Sequence, residues 1–214
     1  MEESTSREKV LKRIRNALLE KTDNPFSRSV FDSPILPPME EGLEVAFAER
    51  LMQTGGKFVY CENADEVVAN LKALASAIDT DTLLCLEGEL QGLLNRAGLK
   101  SSADLDAFRE QGAGFTSCEA LVARSGSIIV SSRLTGGRKL NAFPDIHIVL
   151  GRTSQLVPEI ADALDALRTR YGVRIPSVIS MVTGPSRTAD IEKTLVMGAH
   201  GPRELYLLLL EDAF

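Results

Sequence analysis

The chain has 214 residues, a formal charge of −6, and 44% hydrophobic and 25% charged residues. That composition predicts an ordinary soluble globular protein: one α/β domain with an extension, or at most two small domains. The acidic balance argues against nucleic acid as a primary partner, and no apolar run approaches the roughly 20 residues of a membrane helix.

The opening segment is charged throughout, so it reads as neither a secretory signal nor a membrane anchor. Three cysteines, Cys61, Cys85 and Cys118, are widely spaced and form no CxxC pair. A disulfide framework is not expected, and a cytoplasmic setting fits best. Clusters and structural zinc usually take four ligands in close pairs, so neither metal nor iron–sulfur cofactor is expected in this chain.

Residues 5 to 20 read as an amphipathic helix. Thr5-Ser6-Arg7-Glu8 is a capping-box pattern, and Val10, Ile14, Ala17 and Leu18 recur at helical spacing. Residues 21 to 38 hold Pro25, Pro34, Pro37 and Pro38 and read as a linker or extended arm. A helix set apart in this way needs cover for its apolar stripe, either from the main domain or from a partner subunit. The expected division is an N-terminal helix and linker over 1–44 and a main domain over 45–214.

The main domain alternates. Leu43 to Met52 predicts a helix, Phe58 to Tyr60 a strand, and Ala64 to Ile78 a helix. Leu83 to Leu86 predicts a strand and Leu90 to Ala97 a helix. An irregular stretch with Gly112, Gly114 and Phe115 follows, then a helical turn over Cys118 to Ala123 and a strand over Ser127 to Val130. Residues 132 to 143 read as a basic, glycine-containing loop. Ile146 to Leu150 predicts a strand, and Leu156 to Tyr171 a helix with Pro158 in its first turn. Strands over 177–182 and 204–210 close the pattern, and their β-branched and leucine content predicts burial on both faces. Alternating βα units imply a mostly parallel sheet with helices on both sides.

Candidate chemistry concentrates between those last two strands. Gly184 permits a tight turn, and Ser186 and Thr188 are capping types ahead of a helix expected from Ile191. Arg187 adds a bidentate anion donor. Together they form a candidate carboxylate or phosphate site at a helix start. The alternative is that Ser186 and Asp190 only cap the helix while Arg187 is a solvated charge. His200 titrates near neutral pH and is a candidate general acid or base, or else a turn histidine bonded to backbone. Asp190 and Glu119 are the candidate catalytic carboxylates. Arg138, with Arg133 and Lys139 around Gly136-Gly137, could clamp an acidic ligand. His147 reads as a satisfied structural histidine, and Cys118 as a buried inert thiol. Dinucleotide and P-loop fingerprints are absent.

Thr183-Gly184-Pro185-Ser186-Arg187-Thr188-Ala189-Asp190-Ile191-Glu192, with Gly198-Ala199-His200-Gly201-Pro202, resembles the signature of the LUD domain, the family of lactate-utilization protein C. The section from Cys118 to Val130 and His147-Ile148-Val149 fits the same family. The resemblance implies a three-layer α/β/α fold similar to the ribose-5-phosphate isomerase and CoA-transferase group. It implies a cluster-free subunit that works with iron–sulfur partner proteins in oxidising L-lactate to pyruvate. Apart from the resemblance, a homodimer is one assembly open to the chain. In one departure, Arg124 stands where the family often has a glutamate. The alternative function is a stand-alone enzyme or ligand-binding domain for a sugar phosphate, an acyl-CoA or a small carboxylate.

Overall fold

The computed structural model describes residues 5–19, 36–104, 112–134, 140, 142–188, 196–198 and 201–212, with backbone alone for Thr188, Val196 and Met197. The chain divides into two compact units, Met1–Pro38 and Met39–Phe214. The first contains helix α1 (Ser6–Leu19). Its start is the predicted capping box: Thr5 N donates to Glu8 Oε2 at 2.9 Å, and Glu8 N donates to Thr5 Oγ1 at 3.3 Å. The two orphan amides of the first turn are thereby satisfied reciprocally. None of its residues is buried.

The second unit runs α2 (Leu43–Gln53), β1 (Lys57–Cys61), α3 (Ala64–Ala77), β2 (Thr82–Leu84), α4 (Gly88–Arg96), β3 (Lys100–Ser102) and β4 (Ala113–Ser117). It continues β5 (Ala120–Val122), β6 (Ser127–Ser131), β7 (Ile146–Arg152), β8 (Leu156–Val157), α5 (Ile160–Tyr171), β9 (Ile179–Val182), β10 (Arg187–Thr188), β11 (Val196–Met197) and β12 (Glu204–Leu210).

Six strands form a parallel sheet in the order β1-β12-β7-β4-β2-β3. Strand β12 explains why the sheet holds. Its alternate residues Tyr206, Leu208 and Leu210 enter a core with Val67 and Leu71 of α3 and Leu90 and Leu94 of α4. Leu205, Leu207 and Leu209 enter a second core with Phe47 and Leu51 of α2. A strand with apolar residues on both faces needs cover on both. Helix α3 supplies part of it through Val67, Leu71 and Ala75, which share one face at a spacing of four. Its start is fixed by Asn63, whose side chain accepts from Asp65 N and Glu66 N at 3.0 Å.

The expectation of a mostly parallel α/β sheet with flanking helices holds, and several local readings are corrected. The second core is closed by a four-stranded sheet, β8-β5-β6-β9, with β5–β6 and β6–β9 antiparallel. Residues 118–123, read as a helical turn, contain β5, held by the next strand β6 in an antiparallel pair and by β8 from further along the chain. Strand β9 lies in this smaller sheet and is half exposed, so it is not buried on both faces. Leu156 and Val157 are strand β8, and α5 begins two residues after Pro158. The irregular stretch contains β4, at the centre of the large sheet. Among the described residues no helix is long and apolar enough to cross a membrane.

Candidate functional site

Strands β1, β12 and β7 run parallel, so the residues before Lys57, Glu204 and Ile146 share the amino edge of the large sheet. The segment 183–188 reaches this edge against the C-terminal turn of α2. The backbone carbonyl of Thr54, beyond the last α2 residue, accepts from the Arg187 guanidinium at 2.5 Å. A cation at a helix C-terminus satisfies an orphan carbonyl and opposes the helix dipole. Gly184 has φ +88°, and a Cβ there would lie 2.6 Å from the same Thr54 oxygen, so only glycine allows this approach.

The rest of the segment is tied to backbone and hydroxyls. Ser186 N donates to Pro202 O at 2.8 Å, and Gly198 N donates to Ser186 O at 3.0 Å. Thr183 Oγ1 is 2.7 Å from Ser127 Oγ, which is 2.8 Å from Ser125 Oγ. Arg187 and Thr188 are extended in β10, paired with Met197 and Val196 of β11. The helix expected from Ile191 lies outside the described residues, as do Asp190, His200 and Arg138. Sequence reasoning placed Arg187 toward a ligand; the structure spends one of its nitrogens on α2.

A cleft of about 240 Å³ is lined by Met39, Glu40, Glu41, Ala46, Arg50 and Arg124. Arg124 pairs through Nε with Glu159 Oε1. The arginine at the departure from the family pattern thus faces a carboxylate from the start of α5.

Glu119 directly precedes β5 of the smaller sheet. Its side chain is 1% exposed. Ser131 Oγ donates to Oε1 at 2.5 Å and Tyr171 OH donates to the same oxygen at 2.7 Å. Arg170 Nη1 donates to Oε2 at 2.6 Å. Three donors make this a satisfied buried carboxylate, well placed to anchor α5 on the sheet.

His147 is fully buried, on the face of β7 that carries Val149. Its Nε2 is 2.8 Å from Thr116 Oγ1, while Nδ1 has no hydrogen-bond partner. It is only half satisfied, which corrects the reading of a satisfied structural histidine. Burial lowers its pKa to about 4, so the ring is neutral near pH 7. Cys118 is buried as read, with Sγ 3.5 Å from Gln155 Oε1. Burial, then the neighbouring Glu119, raises its pKa well above the usual thiol range.

The sequence reading missed the opposite edge. From β2 the chain steps through α4 to β3 on one side, whereas from β4 it steps to β7 and then β12 on the other. The strand order reverses between β2 and β4, and open parallel sheets bind ligands outside the carboxyl ends at such a point. Glu87, which comes after β2 and precedes α4, accepts from Ser117 N at 3.0 Å and from Ser117 Oγ at the end of β4. Gln91 Nε2 holds Cys85 O at 2.9 Å. Arg152, at the end of β7, pairs with Glu89 and lies 3.5 Å from Asp212. The available signal was Leu-Cys-Leu-Glu-Gly-Glu over 84–89, an acid directly after an apolar strand and ahead of a helix.

Residues 94–210, more than half of the chain, match the LUD domain. This chain belongs to the LUD domain family. Lactate utilization protein C of Bacillus subtilis (strain 168) is 34% identical over 115 residues, 53% of this chain and 48% of that protein. Lactate utilization protein C of Geobacillus thermodenitrificans is 32% identical over 111 residues, 51% of this chain and 46% of its own length. The uncharacterized protein YkgG of Escherichia coli (strain K12) is 31% identical over 115 residues, 53% of this chain and 50% of that protein. The alignments thus span about half the length of these curated relatives. The crystal structure of a DUF162 family protein from Deinococcus radiodurans superposes with a TM-score of 0.60 at 20% identity, over 81% of this chain and 99% of that one. It shares the fold. The LUD match includes Arg187, Ser117, Glu119 and His147, whereas Thr54 and Glu87 precede it. Both edge constellations therefore join a residue inside the matched stretch to one outside it.

Proposed function

We propose that this LUD-domain chain serves in lactate utilization, working with iron–sulfur partner proteins in the oxidation of L-lactate to pyruvate while carrying no cluster itself. The observation that carries this reading is the LUD match over 94–210 together with relatives named lactate utilization protein C. The chemistry of the thiols supports the division of labour. Cluster ligation needs thiolates brought together. Here Cys61, Cys85 and Cys118 are each buried beside different groups: Asn70, the Glu87 carbonyl and Gln155. Burial raises all three thiol pKa values, Cys85 to about 11. Oxidising lactate releases two electrons, and in this reading they pass to the clusters of the partners.

The test is deletion of the gene with growth on L-lactate as sole carbon source, paired with affinity purification of the tagged chain and iron and sulfide assay of the co-purifying proteins. Loss of growth and recovery of cluster-bearing proteins are expected. Normal growth together with iron-free eluates would overturn the proposal.

A second reading has its own observation, the Glu87–Ser117 pair at the reversal of strand order. It makes the domain a binder of a small carboxylate, a sugar phosphate or an acyl-CoA at the carboxyl edge. A thermal-shift series with L-lactate, pyruvate, phosphosugars and acyl-CoA separates the two. A hundredfold excess over Kd stabilises by about 2.7 kcal/mol, a readable shift. A response to the phosphorylated ligands or thioesters alone would favour the second reading.

A further inference from the structure

The cleft along α2 lies within the second unit, and its lining carries both signs of charge. Glu40 and Glu41 come from the segment ahead of α2. Arg50 stands on α2 itself, one turn beyond Ala46, so the two share a face of the helix. Arg124 comes from the turn between β5 and β6. Among the described residues, two carboxylates and two guanidiniums therefore line one space of about 240 Å³. That is just below the roughly 300–1,000 Å³ of pockets for drug-sized ligands, and it suits a smaller molecule.

These opposite charges face one space without meeting across it. Among the described residues Glu40, Glu41 and Arg50 enter no ion pair, and Arg50 Nη1 donates instead to Gln53 Oε1 at 3.1 Å. The cationic wall is built on a close contact. Gly126, two residues past Arg124, packs without a side chain against the backbone of Arg50 and Leu51. This contact sets the backbone spacing of Arg50 and Arg124, and Glu159 holds Arg124 through Nε. An arginine fork placed in advance takes a carboxylate at a lower cost in side-chain freedom.

We propose that this cleft binds a small zwitterion, an amino acid, with its carboxylate toward Arg50 and Arg124 and its ammonium toward Glu40 and Glu41. A simple anion would be opposed by the two glutamates, and a simple cation by the two arginines. A molecule with both charges satisfies both walls, and each wall also rejects the wrong class of ligand. Binding here requires no bond to form or break. The site is independent of the lactate reading of the chain, which concerns a substrate with a hydroxyl where an amino acid has an ammonium.

The experiment is titration calorimetry of the full chain with L-alanine, L-lactate and propionate, which carry an ammonium, a hydroxyl or a hydrogen on the same carbon. γ-Aminobutyrate, with its charges further apart, gauges the span between the walls. One of the two amino acids is expected to bind at least about tenfold more tightly than L-lactate and propionate. Arg50→Gln, at an exposed position, is expected to weaken that binding about tenfold, the scale of one charge-assisted hydrogen bond. Glu40→Gln combined with Glu41→Gln, also exposed, is expected to erase the preference for the ammonium. Circular dichroism should be unchanged in both variants. Three results would each overturn the proposal. One is no binding of either amino acid at millimolar concentration. Another is propionate or L-lactate binding as tightly as the amino acids; tighter L-lactate would at the same time favour the lactate reading. The third is amino-acid binding indifferent to Arg50→Gln.

Discussion

The guanidinium of Arg187 donates to the carbonyl oxygen of Thr54 across 133 residues of sequence, closing the C-terminal turn of α2 with a side chain from the signature segment. The residue that looks most like an anion ligand therefore has structural work. Thr54 reinforces the same turn by donating its hydroxyl to Leu51 O at 2.7 Å.

Arg187→Ala is expected to cost on the order of 1–2 kcal/mol, the scale of a hydrogen bond from a charged group reduced by its exposure. Urea unfolding should show a lower midpoint at an unchanged slope. A variant as stable as the parent would mean that the clasp contributes nothing to folding.

Two glycines with similar positive φ should respond differently to alanine. Gly126 has φ +61°, and a Cβ there would collide with the backbone of Arg50 and Leu51 in α2. Gly172 has φ +55° with open space around it. Gly172→Ala is expected to cost about 1 kcal/mol, and Gly126→Ala more than about 2 kcal/mol. Equal losses in thermal or urea unfolding would show that backbone strain, and not the contact with α2, governs both.

His147 gives the fold an acid sensitivity whose sign is set by its burial. Its folded pKa, about 4, lies below the unfolded value near 6.5, so the unfolded chain binds more protons between those values. Stability from this group is complete above pH 6.5 and is lost as pH falls toward 4, by about 3 kcal/mol. Unfolding free energy measured across this window should fall less steeply for His147→Gln. An unchanged slope would place the acid sensitivity in other groups.

Glu119 should behave as a coupled structural anchor. Tyr171→Phe removes one of its three donors and is expected to cost about 1 kcal/mol, and Glu119→Gln about 1–3 kcal/mol. The pair shares one hydrogen bond, so the double variant should lose less than the sum of the singles, by about 0.5 kcal/mol or more. Strict additivity in the double-mutant cycle would mean that hydroxyl and carboxylate do not act together.

The legible parts of the fold were those with long one-sided patterns. Helix α3 shows its buried face at a spacing of four and its cap at Asn63, and β12 declares itself by seven residues with apolar character on both faces. Strand β4 did not, because Ala-Gly-Phe-Thr-Ser is buried by its neighbours while showing neither alternation nor a run. Strand β9 misled in the other direction: Ile-Ser-Met-Val looks interior, yet it borders the smaller sheet next to β6. The signature segment could be found from residue types alone, but its partner Thr54 could not, since nothing local links a threonine after one helix to an arginine 133 residues on. Glu87 and Ser117 were hidden for the same reason, because their meeting depends on strand order.

The stretch that carries the family likeness is not the stretch that folds. A fragment cut to residues 94–210 would begin inside α4 and lack α2, β1 and β2. Strand β12 would then lose its partner on one side, β4 would lose its partner on the other, and the leucines of β12 would lose Phe47 and Leu51 from their cover. Inheritance and packing have different borders in this chain, and a truncation guided by similarity alone would bare leucines that the full sheet keeps buried.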